Sequence, residues 1–316
     1  MTGKPLIVIA GATATGKTAL ALAMAAAVAG EIVGADSRQI YRHMDIGTSK
    51  PTPAERAAAP HHLIDIVDPD FTLSAAEYRR MATAAIADIH MRGRVPLLVG
   101  GTGQYITALR EGWTMTEVPP DLELRAQLEA QIAAGGLDSL AARLQALDPD
   151  AASFLDFRNP RRVIRALEVC LLTGQPFSAQ RRKEPPDYVI LPIMLMRERE
   201  RLYVRADARF DQMIADGFVD EVRRLLEMGY ARDLPSMSGI GYRELIAHQL
   251  DGIALEEAIA AGKNATHAFI RRQETWFRKS ASAFLWHNGD VEDTDALIRR
   301  AFDWVHSGGQ NDDERS

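Results

Sequence analysis

The chain has 316 residues, 47% of them apolar and 25% charged, enough for a well-buried core and for more than one domain. A formal net charge of −6 leaves no global basic field to advertise nucleic acid. One cysteine excludes a disulfide framework. The apolar runs "ALALAMAAAVAG" and "YVILPIMLM" are shorter than the roughly 18 residues a membrane span needs.

In chain order, "PLIVIA" (Pro5 to Ala10) reads as a short buried parallel strand. It is too short for the apolar part of a secretory leader, so a cytoplasmic protein without membrane attachment is expected. "GATATGKT" follows, and Gly11 to Thr18 match G-x-x-x-x-G-K-[ST] in full. Glycines let backbone N–H groups turn inward around phosphate oxygens. The alanine-rich helix expected from about Lys17 points its positive end at the anion. Lys17 adds a mobile charge, and the Thr18 hydroxyl is a ligand for Mg²⁺.

"EIVGAD" is a second strand, and "DSRQIYRHMDIGTSKP" (Asp36 to Pro51) leaves its carboxyl end. Ligands in doubly wound sheets bind beyond that end, so Asp36, Ser37, Arg38 and Gln39 should share a crevice with the phosphate loop. The plainer reading is a solvated loop with a helix cap at Asp36. A helix over "LSAAEYRRMATAAIADIHMRG", closed by Gly93, leads to the strand "RVPLLVGG". That strand ends in Gly100-Gly101-Thr102-Gly103, where nucleotide-using P-loop enzymes keep an acidic residue for Mg²⁺. Asp36 could do that job instead, so the loop by itself leaves open whose phosphates it grips.

From Pro119 to about Pro186 the pattern is helical with no convincing strand, and "YVILPIMLM" then returns to strand. The expected fold is α/β: a parallel P-loop sheet flanked by helices over residues 1–118 and 187–306, with an all-helical insertion domain at 119–186. The tail, 307–316, is expected to be disordered. Cys170 falls on an apolar helix face of the insertion and reads as core.

Basic residues are concentrated locally. Arg158, Arg161, Arg162 and Arg165 open an insertion helix, and Arg181, Arg182 and Lys183 follow its end. Arg271, Arg272, Arg278 and Lys279 interleave with Trp276 and Phe277. On a helix, Arg271, Thr275 and Arg278 share one face and Arg272, Trp276 and Lys279 the next. Arginine beside aromatic surface suits splayed single-stranded bases. "RERERLYVRADARF" alternates charge and reads as a salt-bridged surface helix.

Four stretches, "GATATGKT", "DSRQIYRHMDIGTSKP", "VGGTGQYITAL" (Val99 to Leu109) and "RRQETWFR" (Arg271 to Arg278), together resemble the tRNA dimethylallyltransferases. The resemblance spans Gly11 to Arg278, and the second and fourth stretches are far more specific than the loop. It implies transfer of a dimethylallyl group from dimethylallyl diphosphate to N6 of the adenosine 3′ of the anticodon in tRNA, with Mg²⁺ and a monomer. It implies that Gly11, Ala12, Thr13, Ala14, Thr15, Gly16, Lys17, Thr18 and Arg209 hold diphosphate. Asp36, as base, then acts with Thr102 and Lys17 in the chemistry. It implies tRNA contacts from Asp36, Ser37, Arg38, Gln39 and Thr102. Others would come from Arg125 and from Arg161, Arg162, Val163, Ile164 and Arg165 in the insertion. Ser238, Gly239, Ile240, Gly241, Tyr242 and Arg243 form another contact segment, and Arg271, Arg272, Gln273, Thr275, Trp276 and Arg278 the last. Ala12 stands where the family usually has proline, Thr15 where it has serine, and Gln104 where leucine is commoner. Leu155 to Pro160 keeps Asn159 but lacks the family's histidine. The rival readings are an adenine-nucleotide isopentenyltransferase, a P-loop small-molecule kinase and a P-loop ATPase that remodels or merely binds RNA. A kinase or ATPase would turn over ATP, and the transferases would not.

Overall fold

Strand β1 (Lys4–Gly11) holds five consecutive fully buried residues, Leu6 to Ala10, and lies inside a six-stranded parallel sheet. The computed structural model describes residues 3–114, 118–180, 182–184, 186–279 and 281–309. The other sheet strands are β2 (Gly30–Gly34), β3 (His61–His62), β4 (Val95–Gly100), β7 (Tyr188–Met196) and β8 (Leu285–Asn288), in the order β3-β2-β4-β1-β7-β8. Every pairing in it is parallel. The chain divides into two compact units, one of residues 1–110 and 187–316 carrying this sheet, the other of residues 111–186.

Side chains alternate across β1, so odd and even positions feed opposite faces. Ile7 and Ile9 pack with Leu20 and Met24 of α1 (Lys17–Ala27) and with Leu297 and Trp304 of α12 (Thr294–His306). Leu6 and Val8 pack with Tyr78 and Ile86 of α3 (Ala75–Met91), Ile106 of α4 (Gly103–Arg110) and Phe277 of α11 (Leu255–Arg278). Each fully buried aliphatic side chain contributes about 1.5–3 kcal/mol, so β1 is held from both faces. A third cluster joins Ile40 and Met44 to Phe210 of α8 (Arg199–Ala215), Phe218 of α9 (Phe218–Glu227) and Tyr242 of α10 (Tyr242–Asp251). Between β2 and β3 runs the short α2 (Pro53–Ala58), whose capping box pairs Thr52 with Glu55.

The second unit contains α5 (Leu122–Gly135), α6 (Leu137–Leu147) and α7 (Pro160–Thr173) around a core that includes Leu128, Leu144, Leu167 and Cys170. Asn159 caps α7, accepting from the Arg162 N–H, with Pro160 at the first helical position and Gly174 closing the end in the left-handed region. The asparagine kept within Leu155 to Pro160 therefore has a structural task. This unit is not purely helical: β5 (Trp113–Thr114) pairs antiparallel with β6 (Arg182–Lys183). Two residues per strand leave no periodicity to read, and the pair joins positions about seventy residues apart. Lys183 is tied to Glu111 at 2.6 Å; Arg181 and the tail from 310 lie outside the described residues. Among the described residues no helix is long and apolar enough to cross a membrane.

Candidate active site

The phosphate loop connects β1 to α1. Ala14 and Gly16 both take left-handed backbone angles (φ 65° and 101°), which turns successive N–H groups to one side. Thr15 is 1% exposed and its hydroxyl donates to the Ala12 carbonyl at 2.8 Å, which bridges the loop's base. Ala12 is packed against Leu202, Ala206 and Ile270. Lys17 Nζ donates to the Ala12 carbonyl at 2.7 Å. Burial, and then the charge of Arg209, lower its ammonium to about 8, with Asp36 acting in the opposite direction. Thr18 lies exposed in the first turn of α1.

The flank of this loop is built by arginines spaced four apart. Arg197 Nε donates to the Thr15 carbonyl and Arg205 Nε to the Ala14 carbonyl, both at 2.9 Å, and Arg209 donates to the Thr13 hydroxyl. Burial disfavours the charge on Arg209, Asp36 supports it, and Arg205 opposes it. The next face of α8 meets α11 through Arg199–Glu274, Arg271–Tyr203, His267–Asp207 and Lys263–Asp211. The expectation of a salt-bridged surface helix holds on that face, where Arg199, Asp207 and Asp211 are paired with α11, and is corrected on the face that meets the loop. Among the described residues only Arg201 pairs locally, with Glu198 at 3.6 Å, while Arg197, Arg205 and Arg209 are spent on the loop. The four-residue spacing of Arg197, Arg201, Arg205 and Arg209 carried that signal.

Asp36 follows β2. It caps a turn rather than a helix: its Oδ1 accepts the Arg38 N–H at 2.8 Å, and Oδ2 accepts no hydrogen bond among the described residues. The Ser37 N–H donates to Thr102 Oγ1 at 3.0 Å, and the Thr102 N–H donates to the Ala35 carbonyl at 3.1 Å. The ends of β2 and β4 are thereby stitched together, with Asp36 beside Thr102 and in the electrostatic field of Lys17. Gln39 donates to the Ser49 carbonyl at 2.9 Å and Arg38 to the Pro235 carbonyl at 2.6 Å, so both brace loops. Glu221, which no sequence motif marks, is 2% exposed and accepts the N–H groups of Asp45, Ile46 and Gly47 and the Tyr242 hydroxyl.

Several of the residues expected to contact RNA are buried within the protein. Val163 and Ile164 are 0% and 6% exposed in the core of the second unit. Tyr242 is 1% exposed with its hydroxyl on Glu221, and Gly239 and Gly241 beside it are buried, whereas Ser238 and Arg243 are exposed and Ile240 is half-buried. Gln273 is buried between the phosphate loop and Gly101. Arg125 and Arg165 are bound to Glu168, which is 0% exposed. Arg161 and Arg162 are exposed and join no ion pair among the described residues. On α11, Arg271, Arg272, Thr275, Trp276 and Lys279 line one open groove with Ala268; Arg278 is exposed outside that lining.

A family model described as IPP transferase matches residues 39–280. The chain belongs to the IPP transferase family. It is similar to a tRNA dimethylallyltransferase of Roseiflexus sp. (strain RS-1), 58% identical over 87% of this chain and 90% of the relative. It is also similar to one of Roseiflexus castenholzii (strain DSM 13941 / HLO8), 52% identical over 95% and 99%. Among solved structures it resembles a tRNA isopentenylpyrophosphate transferase from Bacillus halodurans, with a TM-score of 0.70 and 39% identity over 96% of both chains. A eukaryotic dimethylallyltransferase acting on tRNA superposes with a TM-score of 0.78 and 25% identity, over 96% of this chain and 80% of that one. The likeness therefore takes in the sheet with its phosphate loop, the second unit and α11 together.

Proposed function

We propose that this chain is a tRNA dimethylallyltransferase, moving a dimethylallyl group from dimethylallyl diphosphate to N6 of the adenosine 3′ of the anticodon in tRNA. The observation that carries the reading is the neighbouring of two unlike half-sites at adjacent strand ends. One is the cationic phosphate loop with Lys17 and Arg209; the other is the Asp36–Ser37–Thr102 turn. The first suits a diphosphate leaving group and the second a hydrogen-bonding acceptor base.

In this reading the ester C–O bond at the allylic carbon breaks and its electron pair leaves with the diphosphate oxygen. Loop N–H groups, Lys17 and Arg209 meet the growing charge. The N6 lone pair forms the new N–C bond, and the N6 proton passes to Oδ2 of the Asp36 carboxylate. Thr102 is held by Ser37 and the Ala35 carbonyl, where it can orient the base. Mg²⁺ fits the donor set: Thr18 offers a hard hydroxyl oxygen at the helix start, and the diphosphate offers others. Bound there, Mg²⁺ supplies charge neutralisation. The exposed Arg161 and Arg162, and the arginines and Trp276 along the α11 groove, are proposed to hold RNA backbone and an unstacked base.

The test is incubation of the pure protein with labelled dimethylallyl diphosphate, Mg²⁺ and unmodified tRNA, beside a parallel reaction with labelled ATP. Label should enter tRNA with release of diphosphate, and ATP should remain intact. Brisk tRNA-dependent ATP turnover without transfer would replace this reading with an ATPase.

A further inference from the structure

Gln273 lies one turn before Phe277 on α11, whose ring is part of the sheet core. Its side-chain amide spans two loops that are far apart in sequence. The Thr13 N–H of the phosphate loop donates to Gln273 Oε1 at 2.9 Å. Gln273 Nε2 donates to the Gly101 carbonyl at 2.9 Å, immediately before Thr102. The orientation of the amide is fixed by its partners, since an N–H needs an acceptor and a carbonyl needs a donor. Gln273 is 7% exposed, so these bonds lie in a low-dielectric setting that strengthens them.

The approach is close enough to dictate sequence on the other side. A Cβ on Gly101 would come within 2.5 Å of Gln273 Nε2, and one on Gly103 would overlap the Trp276 indole. Two of the glycines in "VGGTG" are therefore explained by two α11 side chains three residues apart, sitting directly on the turn. A residue that reads RNA would present its amide to solvent; this one has both ends engaged inside the protein.

We propose that Gln273 is a positioning residue that fixes the spacing between the phosphate loop and the Thr102 turn, and so between leaving group and acceptor base. The proposal rests on the reading under Proposed function. Reacting atoms must be held near 3–3.5 Å, and a misplacement of about 1 Å can cost about 10²-fold in rate. Two hydrogen bonds of ordinary length through one planar amide are a direct way to hold that register. The same amide would transmit ordering of one loop to the other.

The test compares the full-length parent with Gln273→Met, which keeps length and volume, and with Gln273→Glu. In hydrogen–deuterium exchange with inorganic diphosphate as the probe, the parent should show slowed exchange in residues 11–18 and 99–104 alike. Gln273→Met should retain the first protection and lose the second. Single-turnover transfer at saturating substrates should fall about 100-fold in Gln273→Met, with tRNA affinity close to the parent's and a melting temperature lowered because the Thr13 N–H and the Gly101 carbonyl lose their partner. In Gln273→Glu the ratio to the parent rate should recover as pH is lowered, because a protonated carboxyl can again donate to Gly101. Gln273→Met should show no such recovery. Persisting protection of 99–104 in Gln273→Met, or a saturated rate within about three-fold of the parent, overturns the proposal. So does a raised KM for tRNA at an unchanged saturated rate, which would make Gln273 an RNA contact. No diphosphate protection of 11–18 in the parent would overturn the reading of the loop itself, and the proposal with it.

Discussion

Two arginine-rich regions of this molecule put the same residue to opposite uses. Beside the phosphate loop, Arg205 and Arg209 donate to the Ala14 carbonyl and the Thr13 hydroxyl and join no ion pair among the described residues, while Arg197 donates to the Thr15 carbonyl. The carboxylates there are few: Asp290 takes Arg197, and Asp36 stands across the strand ends. Positive charge is therefore kept in excess and aimed by the backbone. In the second unit, Arg125 and Arg165 are neutralised on the buried Glu168, while Arg161 and Arg162 face solvent with no carboxylate partner among the described residues. The difference shows that an arginine's role is decided by its partner. A backbone carbonyl positions the cation without neutralising it, whereas a buried carboxylate consumes it.

The largest expected effect lies at the anion facing the cationic loop. Asp36→Asn keeps the shape and the Arg38 N–H bond but removes the base, so kcat should fall by about 10²–10⁴-fold with KM for both substrates little changed. Single-turnover rates at saturating substrates read this directly. A rate restored by added Mg²⁺, with weakened diphosphate binding, would make Asp36 a metal ligand instead.

Next comes the consumed pair. Replacing Arg125 and Arg165 together with methionine strands Glu168 in the core of the second unit, at a cost of about 3–5 kcal/mol. Binding of tRNA should be lost while dimethylallyl diphosphate binding in the other unit survives, measured by calorimetry on the same protein. Burial opposes ionisation of Glu168, but Arg125, Arg165 and the Asp121 N–H together hold its carboxyl below the usual glutamate range. Its contribution is thus fully present above the unfolded-chain value of about 4.3 and drains away as pH falls through the lowered folded-state value. Acid should unfold the second unit in the parent, and a melting series from pH 7 downward checks it.

A smaller effect is expected at the exposed pair. Arg161→Ala with Arg162→Ala should raise KM for tRNA and lower the slope of log affinity against log salt by about 0.7–0.9 for each phosphate no longer neutralised. Saturated turnover should be unchanged. The smallest effect is a proton. Burial and then the charge of Arg209 lower the Lys17 ammonium to about 8. An arriving diphosphate favours the charged form, so binding near that pH should take up a fraction of a proton, and affinity should weaken as pH rises through that value. Titrations in buffers of different ionisation enthalpy measure the uptake, which should vanish in Lys17→Gln.

How much of this was legible follows from range in sequence. The apolar runs that form β1, β2, β4 and β7, and the loop between β1 and α1, are local signals, and the strand-end rule placed Asp36 near the phosphate loop. Strands β3 and β8 were not legible, being two and four residues long with histidines and an asparagine among them. The clamp made by Gln273, 260 residues from Thr13, has no local signature at all. Nor has Glu221, whose carboxylate serves a loop 175 residues away. The arginines of α8 are visible as a spacing, but charge alternation along the chain does not say which face meets the protein, and so it points to solvent where the structure points to the loop.

The cationic loop and the Asp36–Thr102 turn are proposed to hold two different substrates in reach of each other. Mapping the product on the RNA tests this most directly. Unmodified tRNA incubated with the protein, dimethylallyl diphosphate and Mg²⁺ is digested, and the fragments are weighed by mass spectrometry. One dimethylallyl group per tRNA is expected, on N6 of the adenosine 3′ of the anticodon, with ATP neither required nor consumed. Unmodified fragments after complete incubation, or the group appearing on free adenine nucleotide instead, would contradict it.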